Sequence, residues 1–257
     1  MIHYSRVLTT SAILLLSSNA FAYYNEESFP EINIMGGISS IDMEDTSLVI
    51  NATDVDLLTQ TSEDTWQAFT VEAGFGWVYF ITNQLKTGAV QWFPYVTPKI
   101  NVYYLDSSDL KGHVYQDEYY NEHTLDYTMD FESVRAMFDV ELTLAKINWF
   151  SVYGIGGIGV AWNKLQLNTK PTQLGLELDA KNYELESKNS SGFAYEFGAG
   201  ITADLRNDLA ISLEYLYSGL TNVELGNSPA DSDFNIYGSS LDINNQSILL
   251  GLRFAIK

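Results

Sequence analysis

The stretch SGFAYEFGAGITADLR (191–206) alternates with a period of two. Phe193, Tyr195, Phe197, Ala199, Ile201, Ala203 and Leu205 share one parity; Ala194, Glu196, Gly198, Gly200, Thr202 and Asp204 share the other. Successive side chains of a strand point to opposite faces, so this segment has one apolar face and one face of small or acidic residues. The pattern recurs in FTVEAGFGWVYF (69–80), AMFDVELTLAK (136–146), LAISLEYLYSG (209–219) and SILLGLRFAIK (247–257). It is weaker in EINIMGGIS (31–39), PYVTPKINVYYL (94–105) and WFSVYGIGGIGVAW (149–162). Eight candidate strands of about 9–14 residues predict an all-β fold, and that length suits a tilted strand crossing a bilayer.

The connections alternate too. Residues 81–92, 146–148 and 206–208 are the shorter ones, while 41–65, 106–125, 163–190 and 220–245 are long, polar and acidic. Short turns at one end and long loops at the other, with an even strand count, form the pattern of an outer-membrane-type barrel. The segment 81–92 is long for such a turn. The solvent face of a soluble sheet usually carries Lys, Arg, Gln or Thr. Here the less apolar face is Gly, Ala, Ser, Thr and Glu, which suits the crowded lumen of a narrow barrel. Aromatic residues near strand ends (Trp77, Tyr79, Tyr215, Tyr217, Phe254) suit interfacial girdles. The reading is an eight-stranded antiparallel transmembrane β-barrel, an up-and-down meander with short periplasmic turns and long extracellular loops. Ten strands is the runner-up, and a soluble barrel or sandwich with its apolar face inward shares the same parity. Phe197, Ile201, Leu213, Val140 and Leu252 then face lipid. In LDYTMDFESVRAMFDVEL the apolar set moves from odd (Leu125, Tyr127, Met129, Phe131) to even positions (Val134, Ala136, Phe138, Val140). A slip of one residue exchanges the faces of a strand, so the change predicts a bulge or break at Glu132–Ser133.

The first residues, MIHYSRVLTTSAILLLSSNAFA, add a positive start at Arg6, a short apolar run and a small-x-small site at Ala20-Phe21-Ala22. This predicts a cleaved signal peptide over 1–22 and a barrel domain over 23–257. The run is too short to span a bilayer as a helix. The chain has no Cys, so the sheet itself holds the fold. The formal charge is −20, with 33 acidic residues against 13 basic. Such a surface disfavours nucleic acid, whose phosphates need Lys and Arg, and is compatible with cations or basic partners.

Charges on the less apolar parity fall in two layers. Lys99, Glu141, Glu214 and Arg253 lie about four to six residues from the short-turn end, and Glu72, Arg135 and Glu196 form a higher layer. Cross-strand neighbours of opposite charge can pair, which predicts Lys99–Glu141 and Arg253–Glu214 pairs closing the barrel, either as a structural plug or as the gate of a narrow pore. Besides the leader's own, the two histidines, His113 and His123, share one loop with Asp117, Glu118 and Glu122, but their spacing fits no standard metal pattern. Neither lies on a candidate strand, which speaks against a barrel enzyme with a His/Ser pair on the lipid face. In DSDFNIYGSSLD, Asp231, Asp233, Asn235 and Asp242 stand at the spacing of a calcium loop, without its central Gly or final Glu. No cofactor is expected.

The leader ending Ala20-Phe21-Ala22, the strands PYVTPKINVYY and VYGIGGIGVAW, and the closing SILLGLRF together resemble the small outer-membrane β-barrels of Gram-negative bacteria, the superfamily of the outer-membrane protein A membrane domain, the opacity proteins and the porin-like barrels. The resemblance covers 23–257 and is one of pattern. It implies residence in the cell outer membrane among lipid and lipopolysaccharide, and insertion by the barrel-assembly machinery through a closing-strand signal. Ile248, Leu250, Leu252 and Phe254 match that signal, with Ala255-Ile256-Lys257 running beyond it. It implies a structural, surface-exposed or weakly pore-forming role without catalysis, with acidic loops offered to an extracellular or host partner. The alternatives are a lipid-A-modifying barrel enzyme and a secreted acidic β-barrel binding protein.

Overall fold

The structure, a computed structural model, describes residues 28–43, 46–49, 55–61, 66, 68–81, 85–116, 122–180, 182, 185–228 and 240–256. The expected leader lies outside them. The strands are β1 (Phe29–Met43), β2 (Thr46–Val49), β3 (Val55–Gln60), β4 (Ala68–Phe80), β5 (Leu85–Thr87), β6 (Val90–Trp92), β7 (Tyr95–Tyr115), β8 (Leu125–Ile147), β9 (Phe150–Pro171), β10 (Lys188–Arg206), β11 (Leu209–Glu224) and β12 (Ser240–Ala255); one short helix, α1 (Gln173–Glu177), follows β9.

Eight of these strands close a ring in the order β7-β4-β1-β12-β11-β10-β9-β8, and β8 returns to β7. Every pairing in it is antiparallel, from Ile32 opposite Phe254 at one seam to Lys99 opposite Asp139 at the other. The four short strands sit outside the ring. β3 extends the top of β7, with Leu57 opposite Tyr115. β5 and β6 form a hairpin within the connection 81–92, and β6 pairs with the bottom of β8, Val90 opposite Ile147. That hairpin is why this connection is longer than a simple turn. Barrel strands therefore number eight, and the surplus segments are attachments to the ring.

The barrel strands are longer than the hydropathy pattern indicates, and nearly all of the excess lies at the long-loop end. β8 runs for 23 residues and β9 for 22, so much of 106–125 and 163–190 is strand. The reason lies in the polarity of the two faces. Low on β9 the outward residues are Ile158, Val160 and Trp162; above them come Lys164, Gln166, Asn168 and Lys170 on the same face. The inward face does the opposite, passing from Ser151 and Tyr153 to Leu165 and Leu167. β12 repeats the change in reverse order along the chain. Asp242, Asn244 and Gln246 face outward above Ile248, Leu250, Leu252 and Phe254, while Leu241 and Ile243 face inward above Asn245, Ser247 and Arg253. The lower part is apolar outside and polar inside, as a barrel in lipid must be. The upper part is polar outside and apolar inside, as a barrel in water must be.

This corrects the expected bulge at Glu132–Ser133. β8 pairs with β9 without interruption from Leu125 to Thr143, and Leu125, Tyr127, Met129, Phe131, Ser133, Arg135, Met137, Asp139 and Glu141 all point inward. The strand does not slip; its surroundings change. A bulge does occur at that height, but on β7, where Leu105 faces Ser133 and Ser108 faces Phe131. There the inward set moves from Tyr103 and Leu105 to Leu110 and Val114.

The outward apolar belt includes Phe197, Ile201, Leu213, Val140 and Leu252, between 37% and 56% exposed. On β8 it runs from Val134 to Leu144, which at about 3.3 Å per residue and a tilt of about 40° spans roughly 25 Å, the height of a transmembrane barrel's apolar band. Trp149, Trp92 and Phe93 stand at its short-turn edge and Trp162, Tyr104 and Phe193 at the other.

The belt should end at Trp162. With single cysteines along the outer face of β9 in a bilayer, a membrane-impermeant maleimide should label positions 164, 166 and 168 and leave 158 and 160 unlabelled. A boundary displaced by four residues in either direction would contradict this division.

Candidate functional site

The lumen is closed by side chains in three tiers. The lowest is a charged cluster. Lys99 donates to Glu141 Oε2 at 2.7 Å, and Arg253 Nη1 donates to Glu141 Oε1 at 2.8 Å. Glu31 lies 3.1 Å from Lys99 and 3.7 Å from Arg253. Arg253 also donates through Nε to Ser212 at 2.9 Å and stacks over Tyr153, whose hydroxyl donates to Glu214 at 2.9 Å. Arg253 and Glu214 are 3.8 Å apart. Both expected pairs are present, Lys99–Glu141 closely and Arg253–Glu214 more loosely, and Glu141 joins them into one cluster by also reaching Arg253. β8 and β12 stand four places apart in a ring of eight, so the Arg253–Glu141 contact crosses the diameter. Glu31 and Tyr153 complete the cluster although only the charges on the other strands drew notice in the sequence; both lie on the inward parity of their strands, which was the available signal.

The middle tier is a polar network. Glu72, Arg135 and Glu196 are each no more than 3% exposed. Asn33 donates to Glu72, Tyr103 donates to Glu196 at 2.7 Å, Asn101 donates to Asp139 at 2.7 Å, and Arg135 lies over the Tyr103 ring. Glycines make the room. A Cβ at Gly157 would run into the Asp139 carboxylate, and one at Gly74 into the side chains of Asn33 and Asn101. This is the small-residue face of the sequence pattern, and its smallness accommodates the larger polar groups opposite.

The top tier is apolar. Leu58, Leu105, Leu125, Met129, Phe131, Leu165, Leu167, Leu220, Val223 and Ile243 are essentially inaccessible and form one packed cluster. Below the charged tier, a cavity of about 510 Å³ opens at the short-turn end, lined by Glu31, Thr202, Lys146, Asp204 and Arg253 among others.

At the outer rim, His113 lies on β7, which corrects the expectation that neither histidine sits on a strand. It faces Asp126 across the β7–β8 ladder, and His123 stacks against it with ring centroids 4.0 Å apart. Asp117 and Glu118 lie outside the described residues, and Glu122 is exposed. Asp231, Asp233 and Asn235 of the calcium-like spacing also lie outside them, while Asp242 accepts from the Asn222 backbone N–H at 3.3 Å. Asp109 and Asp130 are direct cross-strand partners on the water side of the barrel. The hydrogen bond they share, with burial and like charge adding, raises the Asp130 carboxyl above its ordinary range.

No protein family matches the sequence, and no curated protein is similar to it by sequence. Among solved structures, the outline of the chain is similar to Ail of Yersinia pestis, solved with the heparin analogue sucrose octasulfate (12% identity, TM-score 0.36, 89% of this chain and 99% of that one). It is also similar to the outer membrane protein OprG of Pseudomonas aeruginosa (12%, 0.37, 89% and 97%) and to Neisserial surface protein A (8%, 0.33, 90% and 100%). At these values the fold assignment rests on the chain's own closed ladder. A closed eight-stranded antiparallel ring, with an apolar belt outside and charged groups inside, is the architecture of a transmembrane β-barrel.

Replacing Arg253 with Met leaves Glu141 and Glu31 sharing Lys99 alone and should cost about 3–5 kcal/mol, the range for breaking a buried pair. In double-mutant cycles with Glu141→Gln and Glu214→Gln, coupling to Arg253 should be the larger for Glu141; unfolding by urea in micelles reads both. At the rim, Asp109→Asn should lower the Asp130 pKa toward its ordinary value. Because the raised value means the folded state holds its proton more tightly, the native pair gains stability as pH falls through that pKa and loses it as pH rises; NMR titration of the carboxyl carbon checks the shift.

Proposed function

We propose that the protein is an integral outer-membrane β-barrel with a closed lumen, a rigid surface-exposed support that neither conducts nor catalyses. The observation that carries this reading is the stacking of two unlike seals. A pore needs a continuous wet path. Here a cross-linked charged cluster lies at one level and a dry apolar cap lies above it. Ions would have to break the first and dewet through the second. Arg253 and Glu141 of the cluster line the cavity below it.

The location follows from the belt. Its outward residues suit lipid, the upper polar face suits water, and the leader over 1–22 is the proposed export signal. Ile248, Leu250, Leu252 and Phe254 stand outward on β12, the strand that closes on β1, and are the proposed handle for the barrel-assembly machinery. Lipid and lipopolysaccharide are the surroundings of the belt. Any extracellular partner would meet a strongly acidic chain, so a cationic ligand suits it better than a polyanion. The enzymatic alternative has no support in a His/Ser pair on the lipid face: His113 and His123 lie at the water-facing rim, above the belt.

The purified protein should remain in the outer-membrane fraction and migrate faster on SDS gels unboiled than boiled. In planar bilayers it should give no steady conductance, and Arg253→Met should stay silent because the apolar cap remains. Recovery from the soluble fraction would overturn the membrane reading; a steady wild-type conductance would overturn the closed lumen.

A further inference from the structure

We propose that His113, His123 and Asp126 form a binding site for a divalent transition-metal ion of the zinc class at the outer rim of the barrel. They are the one group of three metal-ligating side chains that converge among the described residues, with one donor atom from each within 4.8 Å of the others. His113 Nδ1 lies 2.8 Å from Asp126 Oδ1, and His123 Nε2 lies 3.9 Å from the same oxygen. Zinc holds nitrogen and oxygen donors at about 2.0–2.2 Å in a tetrahedron, which sets donors roughly 3.3 Å apart. The observed separations bracket that value, so an ion can enter in place of the proton between His113 and Asp126 with small side-chain rotations.

The three backbones are held before any ion arrives. His113 and Asp126 are register partners near the rim end of the β7–β8 ladder, held between the pairs Gly112–Tyr127 and Val114–Leu125. His123 is anchored through its carbonyl, which accepts from Thr172 Oγ1 at 3.3 Å. Its neighbour Thr124 donates its N–H to Val114 and accepts from the Thr172 N–H, which fixes the base of the loop on both sides. Thr172 in turn caps α1 through Gly175. Ten residues of sequence separate the histidines, a spacing without a helical or knuckle signature; a hairpin brings them together, since one is on the strand leaving the barrel and the other on the loop returning to it.

The donor set selects the metal class. Two imidazoles and one carboxylate suit zinc, copper(II) or nickel(II), whereas calcium and magnesium require mostly oxygen. Three protein ligands leave a coordination position for water or a ligand. All three side chains are partly exposed, from 33% to 57%, so an ion reaches them directly from outside. Lys170 is the register partner of Asp126 on the β9 side.

The test uses the full-length, tag-free protein in detergent micelles. Zinc chloride is titrated against a chromogenic chelator and by calorimetry. One ion should bind per chain. His113→Gln and His123→Gln should each weaken it by at least about tenfold, no less than the loss seen when an outer-shell partner of a ligand is removed. Both variants must keep the heat-dependent mobility of the folded barrel. The wild type loaded with one copper(II) should show hyperfine coupling to two imidazole nitrogens in electron paramagnetic resonance, a readout that needs no variant to fold. The proposal is overturned if no saturable one-to-one binding occurs, if folded variants bind as the wild type does, if fewer than two nitrogens couple, or if equimolar calcium displaces the zinc.

Discussion

In hydrocarbon a strand has no water to satisfy its N–H and C=O groups, so each must be paired with another strand, and only a closed ladder leaves no edge. The seam between β1 and β12, thirteen register pairs from Glu31–Ala255 to Met43–Ile243, is therefore the contact on which the rest of this molecule depends. Closing it converts a sheet with two wet faces into a wall with an inside. It also brings together residues that no local pairing would join, Arg253 from the last strand with Glu141 from the middle of the chain. The buried charges are tolerable only because closure gives them one another. In an open sheet Glu72, Glu196 and Arg135 would each have to stay in water.

The pleat fixes which side chains share a face, and the solvent fixes what chemistry that face must carry. These are separate constraints, and the chain shows it along single strands. β8 keeps odd residues inward from Leu125 to Thr143, yet its inward set passes from Leu125, Tyr127, Met129 and Phe131 to Arg135, Asp139 and Glu141. Hydropathy taken alone turns that passage into a change of parity and suggests a bulge on this strand. The bulge instead falls on β7, where two charged or polar residues at 106 and 107 give no apolar contrast by which to see it.

Strand parity, the number of crossings and the inner residues were legible because they depend on neighbours in sequence. The lumen charges were legible one by one: Lys99, Glu141, Glu214 and Arg253 are all inward. Their pairings between adjacent strands, Lys99–Glu141 and Arg253–Glu214, were legible too; the Arg253–Glu141 contact was not, since adjacent strands are the only neighbours a sequence suggests, and a narrow ring makes the opposite wall nearer than the strand order implies. Glu31 and Tyr153 were passed over for the same reason. His113 and His123 were visible, but the strands were read as ending with the apolar pattern, which left the histidines in a loop with no geometry.

The upper part of the barrel has a further consequence. From Val134, where the belt stops, β8 continues to Leu125, about nine residues, which at some 3.3 Å each and the same tilt lifts the rim roughly 20 Å clear of the hydrocarbon. A dry core of leucine, methionine and phenylalanine stiffens that extension from within. It works as a stand-off. The rim residues are presented clear of the apolar belt on a stem packed from within, so reach and rigidity come from the same set of inward apolar side chains.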